Sequence, residues 1–508
     1  MLAGCAPATE IEPVVTAQQK AALDSISAAN LKGDLSFIAS DVLQGRYTPS
    51  PGLEVAAEFI ASQFRAARLK PAGDHDYFQT APMIDRYMPK PASGMTVEGA
   101  GKKFTIAADS LVIFDTSQAV KIDRAPVLVF PTRDLDTLKK TDIAGKAIVV
   151  EQPDFDGMSP GQAMATYRKM RSFDIYVGAS KAAIEIVVTK RLAPASPRLL
   201  SAEAAGARKV PVVQAANAEL QRCLKHPDEG SASTVSTDVP GPENRAVTVK
   251  NVIGILPGSD PKLKDTYVLL TAHYDHIGTT ETAGRMAMAP KSPNPDDHIY
   301  NGANDDGSGT VSVIEIARAL AKLNQHPKRT LVFMTFFGEE RGELGSRYYG
   351  EHPIFPISKT VADVNLEQVG RTDEVTNGKV TRETNTASLT GFDYSDVPKT
   401  LAEAGKAVGI RVYTDPEASD AYFTRSDNDA LAEQGIPAHT LTVAFDYPDY
   451  HALGDEWQKV DYENMARVDR MVALALIRLA NNSRPPQWNA QNPKTAPFRE
   501  AQRKWAGQ

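Results

Sequence analysis

Acidic and imidazole side chains stand where apolar runs give way to polar residues. His273 and Asp275 follow the run Tyr267 to Ala272, Glu339 and Glu340 follow Leu331 to Phe337, and Glu367 follows Val361 to Leu366. Asp305 lies in the stretch NGANDDGSGT, Asn301 to Thr310, and His451 in PDYHALGDEW. Any one of these alone reads as an ordinary surface or satisfied core residue. Gathered into one crevice, their negative charges repel one another and lose solvation, which only a cation offsets. Oxygen and imidazole donors without thiolate suit zinc, with manganese and cobalt as alternatives, and the histidines favour zinc. Two divalent ions bring about four positive charges, and Asp305, Glu340, Glu367 and a bridging hydroxide bring about four negative. One ion would leave the same crevice anionic.

These residues need a scaffold that brings strand ends together. Helical spacing over Val311 to Leu323 and the apolar runs Leu331 to Phe337, Val361 to Leu366 and Ala438 to Val443 alternate as strand, helix, strand. That order predicts an α/β fold with a mixed, mainly parallel sheet flanked by helices, whose ligand sites lie beyond the carboxyl ends of the strands. Leu31 to Leu69 carries the spacing of amphipathic helices, in Ala56, Ala57, Phe59, Ile60, Phe64 and Leu69. From about Ser93 to Lys250 short β-rich runs such as Val127 to Phe130 and Ala147 to Val150 take over, and the linker TVSTDVPGPENRAV leads into the strand Asn251 to Leu256. The expected organisation is a start and tether at 1–30, a discontinuous catalytic domain at 31–92 and 251–485, an inserted β-rich domain at 93–250, and a tail at 486–508.

The chain has 508 residues, long for a single hydrophobic core. Its net charge of -7, with Lys and Arg scattered outside the tail Lys494 to Lys504, excludes a broad nucleic-acid footprint. Cys5 and Cys223 are the two cysteines, too few and too far apart for a disulfide scaffold or a zinc ribbon. Leu2-Ala3-Gly4-Cys5 resembles the lipobox of bacterial lipoproteins. That resemblance implies an acylated Cys5, membrane attachment and a periplasmic, outer-membrane-anchored location in the bacterial cell envelope; it also requires a signal peptide longer than four residues. No other segment has the length and apolarity of a membrane span.

TAHYDHIG, YNGANDDGSG, FFGEERGELGS, NLEQVG and DYHALGDEW, in this order, resemble the metal-site motifs of the co-catalytic di-zinc aminopeptidase family, which includes glutamate carboxypeptidase and glutaminyl cyclase branches. LSFIASDVLQGRYTPSPGLEVAAEFIASQFRAARLKPAG is similar to the N-terminal region of bacterial members, and the insertion resembles a protease-associated domain. The resemblance implies one metal on His273 and Glu367, another on Glu340 and His451, and Asp305 bridging them. It makes Glu339 the general base and Asp275 the carboxylate that orients His273, while Tyr450 assists the oxyanion. Asp306 is expected to cap the following helix rather than bind metal.

Many relatives have Asp at the position of Glu367, and Asn428 in RSDNDALAEQGIPA stands where the family often has His. The expected activity is removal of N-terminal residues from peptides. A carboxypeptidase or dipeptidase of the same fold is the nearest alternative, turning on whether Arg341, Arg371 or Arg425 receives a carboxylate. A glutaminyl-cyclase-like acyltransferase would use one zinc, and a binding protein would have lost the site. Side-chain preference and oligomeric state have no sequence signature here.

Overall fold

A computed structural model describes residues 15–506 apart from 100–101, 156–157, 159, 194–196, 208–209, 226–232, 285, 289–293, 295, 377–378 and 415. The lipobox-like Leu2 to Cys5 lies outside the described residues.

Four parallel neighbours form the centre of the larger sheet: Ala438–Thr442, Thr360–Leu366, Tyr267–His273 and Thr330–Phe336, in that spatial order. Antiparallel strands extend it, Thr386–Leu389 on one side and Glu243–Leu256 followed by Phe78–Tyr87 on the other. The central strands are buried almost throughout, which is why they read as continuous apolar runs rather than alternating ones. All four point their carboxyl ends to one edge, so residues that follow each strand meet there.

Helices cover both faces of this sheet. In Pro51–Ala66 the sequence supplies both a start signal and a face. Ser50 accepts a hydrogen bond from the Leu53 amide at 3.1 Å with Pro51 in the first turn, while Ala56, Ala57, Ile60, Ala61 and Phe64 are buried. Gly309–Leu320 is buried over nearly its whole length and packs with Ala28–Ile38 and the 20-residue helix Tyr462–Asn481. Burial of this kind contributes roughly 1.5–3 kcal/mol for each large apolar side chain. Among the described residues, no helix is long and apolar enough to cross a membrane.

Among the described residues the second sheet has eight strands, all between Met95 and Val239. Its centre is also parallel: Val120–Phe130, Ala147–Glu151, Ile184–Val188 and Val212–Ala215. The β-rich texture of this stretch also contains a 20-residue helix, Pro160–Ala179, in which exposed Tyr167, Ile175 and Tyr176 blur the amphipathic pattern. This unit is joined to the larger sheet through strands of both. Arg198–Leu200 pairs with Phe78–Tyr87, and the expected boundary at 250/251 falls inside the single strand Glu243–Leu256.

Candidate active site

His273 ends its strand, and the chain leaves extended structure at once to carry Asp275 and His276 around the sheet edge. Asp305 comes from the turn before Gly309–Leu320, Glu339 and Glu340 from a short helical turn after Thr330–Phe336, and Glu367 from the end of Thr360–Leu366. His451 comes from the long loop after Ala438–Thr442. All lie at the carboxyl edge of the parallel strands.

Asp305 divides its two oxygens between two histidines. Its Oδ1 is 3.3 Å from His273 Nε2, and its Oδ2 is 3.1 Å from His451 Nε2. Around the first histidine, Glu367 Oε1 lies 3.4 Å from Nε2. Around the second, Glu340 Oε2 lies 3.2 Å from Nε2, and the other Glu340 oxygen is 2.7 Å from His276 Nδ1. Two donor sets result, His273–Asp305–Glu367 and His276–Asp305–Glu340–His451, each with its ligand atoms within 4.8 Å of one another and with Asp305 in common.

His276 has no place in the sequence reading. Strand alternation would send it to the face opposite Asp275, and only the turn after His273 brings it in. Gly302 makes room for it, since a Cβ there would lie 2.4 Å from His276 Cγ, and its φ of +55° suits glycine.

The donor chemistry fits a divalent metal. His276 and Glu340 approach to 2.7 Å, yet neither the imidazole nitrogens of His276 nor Glu340 Oε1 has a partner in hydrogen-bond geometry. Atoms placed so close without alignment face a common point rather than each other. The second nitrogen of His451 is spoken for: Nδ1 is 2.9 Å from the Met286 carbonyl, which as a donor there leaves Nε2 to coordinate. Asp275 Oδ1 lies 3.4 Å from His273 Nδ1, and the same carboxylate accepts from the Glu339 amide at 3.1 Å and from Thr48 Oγ1 at 3.0 Å.

Glu339 stands slightly apart, with Oε2 3.9 Å from His273 Nε2. Burial holds its carboxyl well above the usual range, and Glu367 and Glu340 add to the rise against the pull of His273. Burial alone would raise Glu340 too, but His451 and His276 reverse that and bring it down to about 2. Tyr450 lines the same pocket and stacks on His451 with ring centroids 4.1 Å apart.

The neighbouring Asp306 has a different task. Its Oδ1 accepts from the amide of Gly309 at 2.9 Å and of Gln368 at 3.1 Å, tying the helix start to the residue after Glu367. Gly309 has to be small, because a Cβ there would lie 2.3 Å from Asp306 Oδ2. Asp455 accepts from the amides of Asn304 and Asp305, and Tyr447 donates to it at 2.8 Å.

Arg46 is fully buried under these loops. It donates to the carbonyls of Tyr274, Ile38, Asn301 and Gly302 at 2.7–2.8 Å, so one guanidinium joins the loop that carries His273 and His276 to the loop that carries Asp305. Desolvation lowers its pKa to about 10, against the raising effect of Asp275, Asp455, Asp306 and Asp305. Sequence inspection gave no reason to separate it from other arginines, because its role rests on backbone carbonyls far apart in the chain.

A cleft of about 1060 Å³ opens over the site, lined on one side by Glu339, Glu340, Tyr450 and His451 and on the other by Phe155, Met158, Tyr167, Arg168 and Arg171 of the second unit. Arg168 Nη2 donates to Thr424 Oγ1 at 3.0 Å across it. The three arginines in question differ sharply. Arg341 is bound to Tyr47, the Thr48 carbonyl and the Pro197 carbonyl, and Arg371 is fixed between Asp373 and Asp449. Arg425 lies in the pocket beside the donors, over the Tyr422 ring at 5.1 Å, with no side-chain hydrogen bond to another described residue. Asn428 is turned inward, donating to the Phe423 carbonyl and accepting from Thr440.

Residues 251–476 match the profile described as Peptidase family M28, a span that takes in every donor of both sets. Over this span, a little under half of the chain, the sequence is similar to Peptidase family M28. Relatives include a protein described as a probable zinc metalloprotease of Pyricularia oryzae, 26% identical over 285 residues, covering 47% of this chain and 51% of the relative. Aminopeptidase YwaD of Bacillus subtilis is 34% identical over 124 residues, covering 24% of this chain and 22% of its own. The chain spans about half the length of the first of these. An aminopeptidase from Aneurinibacillus sp. strain AM-1 has the same fold, with a TM-score of 0.58 and 19% identity over 93% of this chain and 97% of that one. The helix-flanked mixed sheet is thus a fold shared with that solved aminopeptidase.

Proposed function

We propose that this chain is a zinc-dependent exopeptidase with two metal ions that removes N-terminal residues from peptides. The observation that carries the reading is Asp305, whose two oxygens face two separate donor sets. His273 and Glu367 would hold one ion, and Glu340, His451 and His276 the other. When bound, the ions polarise the scissile carbonyl and lower the pKa of the attacking water.

The protein's own groups do the rest. Glu339, close to His273 but outside both donor sets, accepts the proton of the attacking water and returns it to the departing amine. Burial raises its affinity for that proton. Asp275 orients the His273 ring, and Tyr450, at the rim of the pocket, donates to the developing oxyanion.

The aminopeptidase names of relatives favour N-terminal cleavage over other exopeptidase activities. A dipeptidase or carboxypeptidase is the second reading, favoured by Arg425, a cation left open beside the site. Two complete donor sets disfavour a one-zinc acyltransferase. A protease-associated role for the inserted unit, acylation of Cys5 and a place in the cell envelope belong to the same proposal. The test is hydrolysis of amino-acid arylamides against N-blocked dipeptides with zinc present. Arylamide cleavage supports the proposal, cleavage of blocked dipeptides alone supports the second reading, and cleavage of neither overturns both.

A further inference from the structure

A second crevice lies in the inserted unit, away from the metal donors. Three neighbouring parallel strands, Val120–Phe130, Ala147–Glu151 and Ile184–Val188, end along one edge, and a cavity of about 630 Å³ sits over the residues that follow them. The carboxyl edge of a parallel sheet is where α/β units take up ligands, because the loops there diverge and leave a crevice. The charged residues in its lining are Arg133, Glu151, Asp154, Lys169, Lys190 and Arg191. Four cations thus meet two carboxylates, on a chain whose net charge is -7.

The cations are not equally engaged. Arg133 is nearly buried, 3.3 Å from Asp174, and donates to the Glu151 carbonyl; Lys190 lies 3.3 Å from Asp154. Exposed Lys169 and Arg191 make no side-chain hydrogen bond or ion pair with another described residue. The loop that carries Arg191 is nonetheless fixed. Thr189 Oγ1 donates to the Arg191 carbonyl at 2.8 Å, and Gln221 donates to the Thr189 carbonyl at 3.3 Å. Open cations on an anchored loop, around a cavity of small-molecule size, suit an oxyanion.

The helix Pro160–Ala179 forms one wall of this crevice through Thr166, Lys169 and Met170, spaced as one helical face. Its adjoining face, through Tyr167, Arg168 and Arg171, forms a wall of the cleft over the metal donors. We propose that the crevice binds a small ligand carrying a carboxylate or phosphate, and that its occupancy alters peptide binding in the cleft through this shared helix. A ligand that draws Lys169 inward acts on a helix that also presents Arg168 and Arg171, so any preference for one helix position links the two sites reciprocally.

The test uses the zinc-loaded full chain with inorganic phosphate and succinate as probes. Calorimetric titration is expected to show saturable binding, weakened by roughly tenfold or more in Lys169→Glu/Arg191→Glu. Stronger binding of phosphate assigns the site to phosphorylated ligands, and stronger binding of succinate assigns it to carboxylates. An unchanged melting temperature in the variant excludes a folding defect, and single Lys169→Gln and Arg191→Gln variants, each weakening the probe by a smaller factor, stand in if the double variant fails to fold. Equal binding by wild type and variant overturns the site, since the probe then sits on the metals. Fluorescence-monitored binding of an unhydrolysed peptide gives the second readout. A changed peptide affinity with probe present, in wild type alone, supports the link; an unchanged affinity overturns it.

Discussion

Glu339 and Glu340 are adjacent in the chain but sit in opposed electrostatic surroundings. Glu340 Oε2 is 3.2 Å from His451 and its Oε1 2.7 Å from His276, which hold its carboxyl down to about 2 against burial. Glu339 has its nearest imidazole at 3.9 Å, and burial with the like charges of Glu367 and Glu340 pushes it well up. Glu340 is set to stay ionised, while Glu339 has the greater affinity for a proton.

Substitution by Gln should separate them. Glu339→Gln keeps its shape and should retain bound zinc while turnover falls by roughly 10²–10⁴-fold, the usual worth of a positioned general base. Glu340→Gln should lose zinc, and excess zinc or cobalt should restore part of its activity. Metal analysis beside steady-state kinetics reads both. Zinc lost from Glu339→Gln and kept by Glu340→Gln would reverse the roles.

His276 faces Glu340 without hydrogen-bond geometry, so it is expected to act on the metal shared by Glu340 and His451. His276→Ala should weaken the affinity of that ion by roughly 10–100-fold and leave the His273 side loaded. Competition with a chelator, followed by metal counting, checks this. A chelation curve identical to wild type would show His276 to be a packing residue.

Arg46 spreads one guanidinium over four carbonyls, three on two loops and one at the end of the helix Ala28–Ile38. Lysine keeps the charge but has no planar fork, so Arg46→Lys leaves buried carbonyls unpaired and should cost at least about 2 kcal/mol. Both the melting temperature and zinc retention should fall, because the tied loops carry His273, His276 and Asp305. A drop in melting temperature with zinc affinity intact would confine Arg46 to stability.

Asp469 lies buried in Tyr462–Asn481, and burial pushes its carboxyl up to about 8, with Ser312 opposing the rise. In the unfolded chain it titrates near about 4. Between about pH 4 and pH 8 the folded state keeps a proton that the unfolded state has lost, so stability falls as pH rises through that window and levels off above it. Asp469→Asn cannot ionise and should gain on wild type across the window, by something on the order of 1–3 kcal/mol. Melting curves from pH 5 to pH 8 test the slope; parallel profiles would mean that the carboxyl is ionised in the fold.

The parallel centre of the larger sheet was legible because its strands are buried on both faces and read as unbroken apolar runs between turn residues. The convergence of Asp305, Glu340, Glu367 and the two histidines followed from their places after those runs, since parallel strands deliver their carboxyl ends to one edge. His276 was not legible, because a period of two sends it away from Asp275 and only a turn returns it. The helix Pro160–Ala179 escaped notice for a related reason: it is exposed on the cleft side and shows no clean apolar stripe. The division of labour between Asp305 and Asp306 depends on which amides each meets, and that is a property of the folded loops alone.

Counting zinc while following turnover tests the account most directly. Metal-stripped protein titrated with zinc should bind two ions per chain, with arylamide hydrolysis complete only when both are present. Asp305→Asn, which weakens a ligand common to both donor sets, should lower the affinity of both ions together. Full activity at one zinc per chain, or an Asp305→Asn protein that loses one ion and holds the other as tightly as wild type, would contradict a centre built around a shared Asp305.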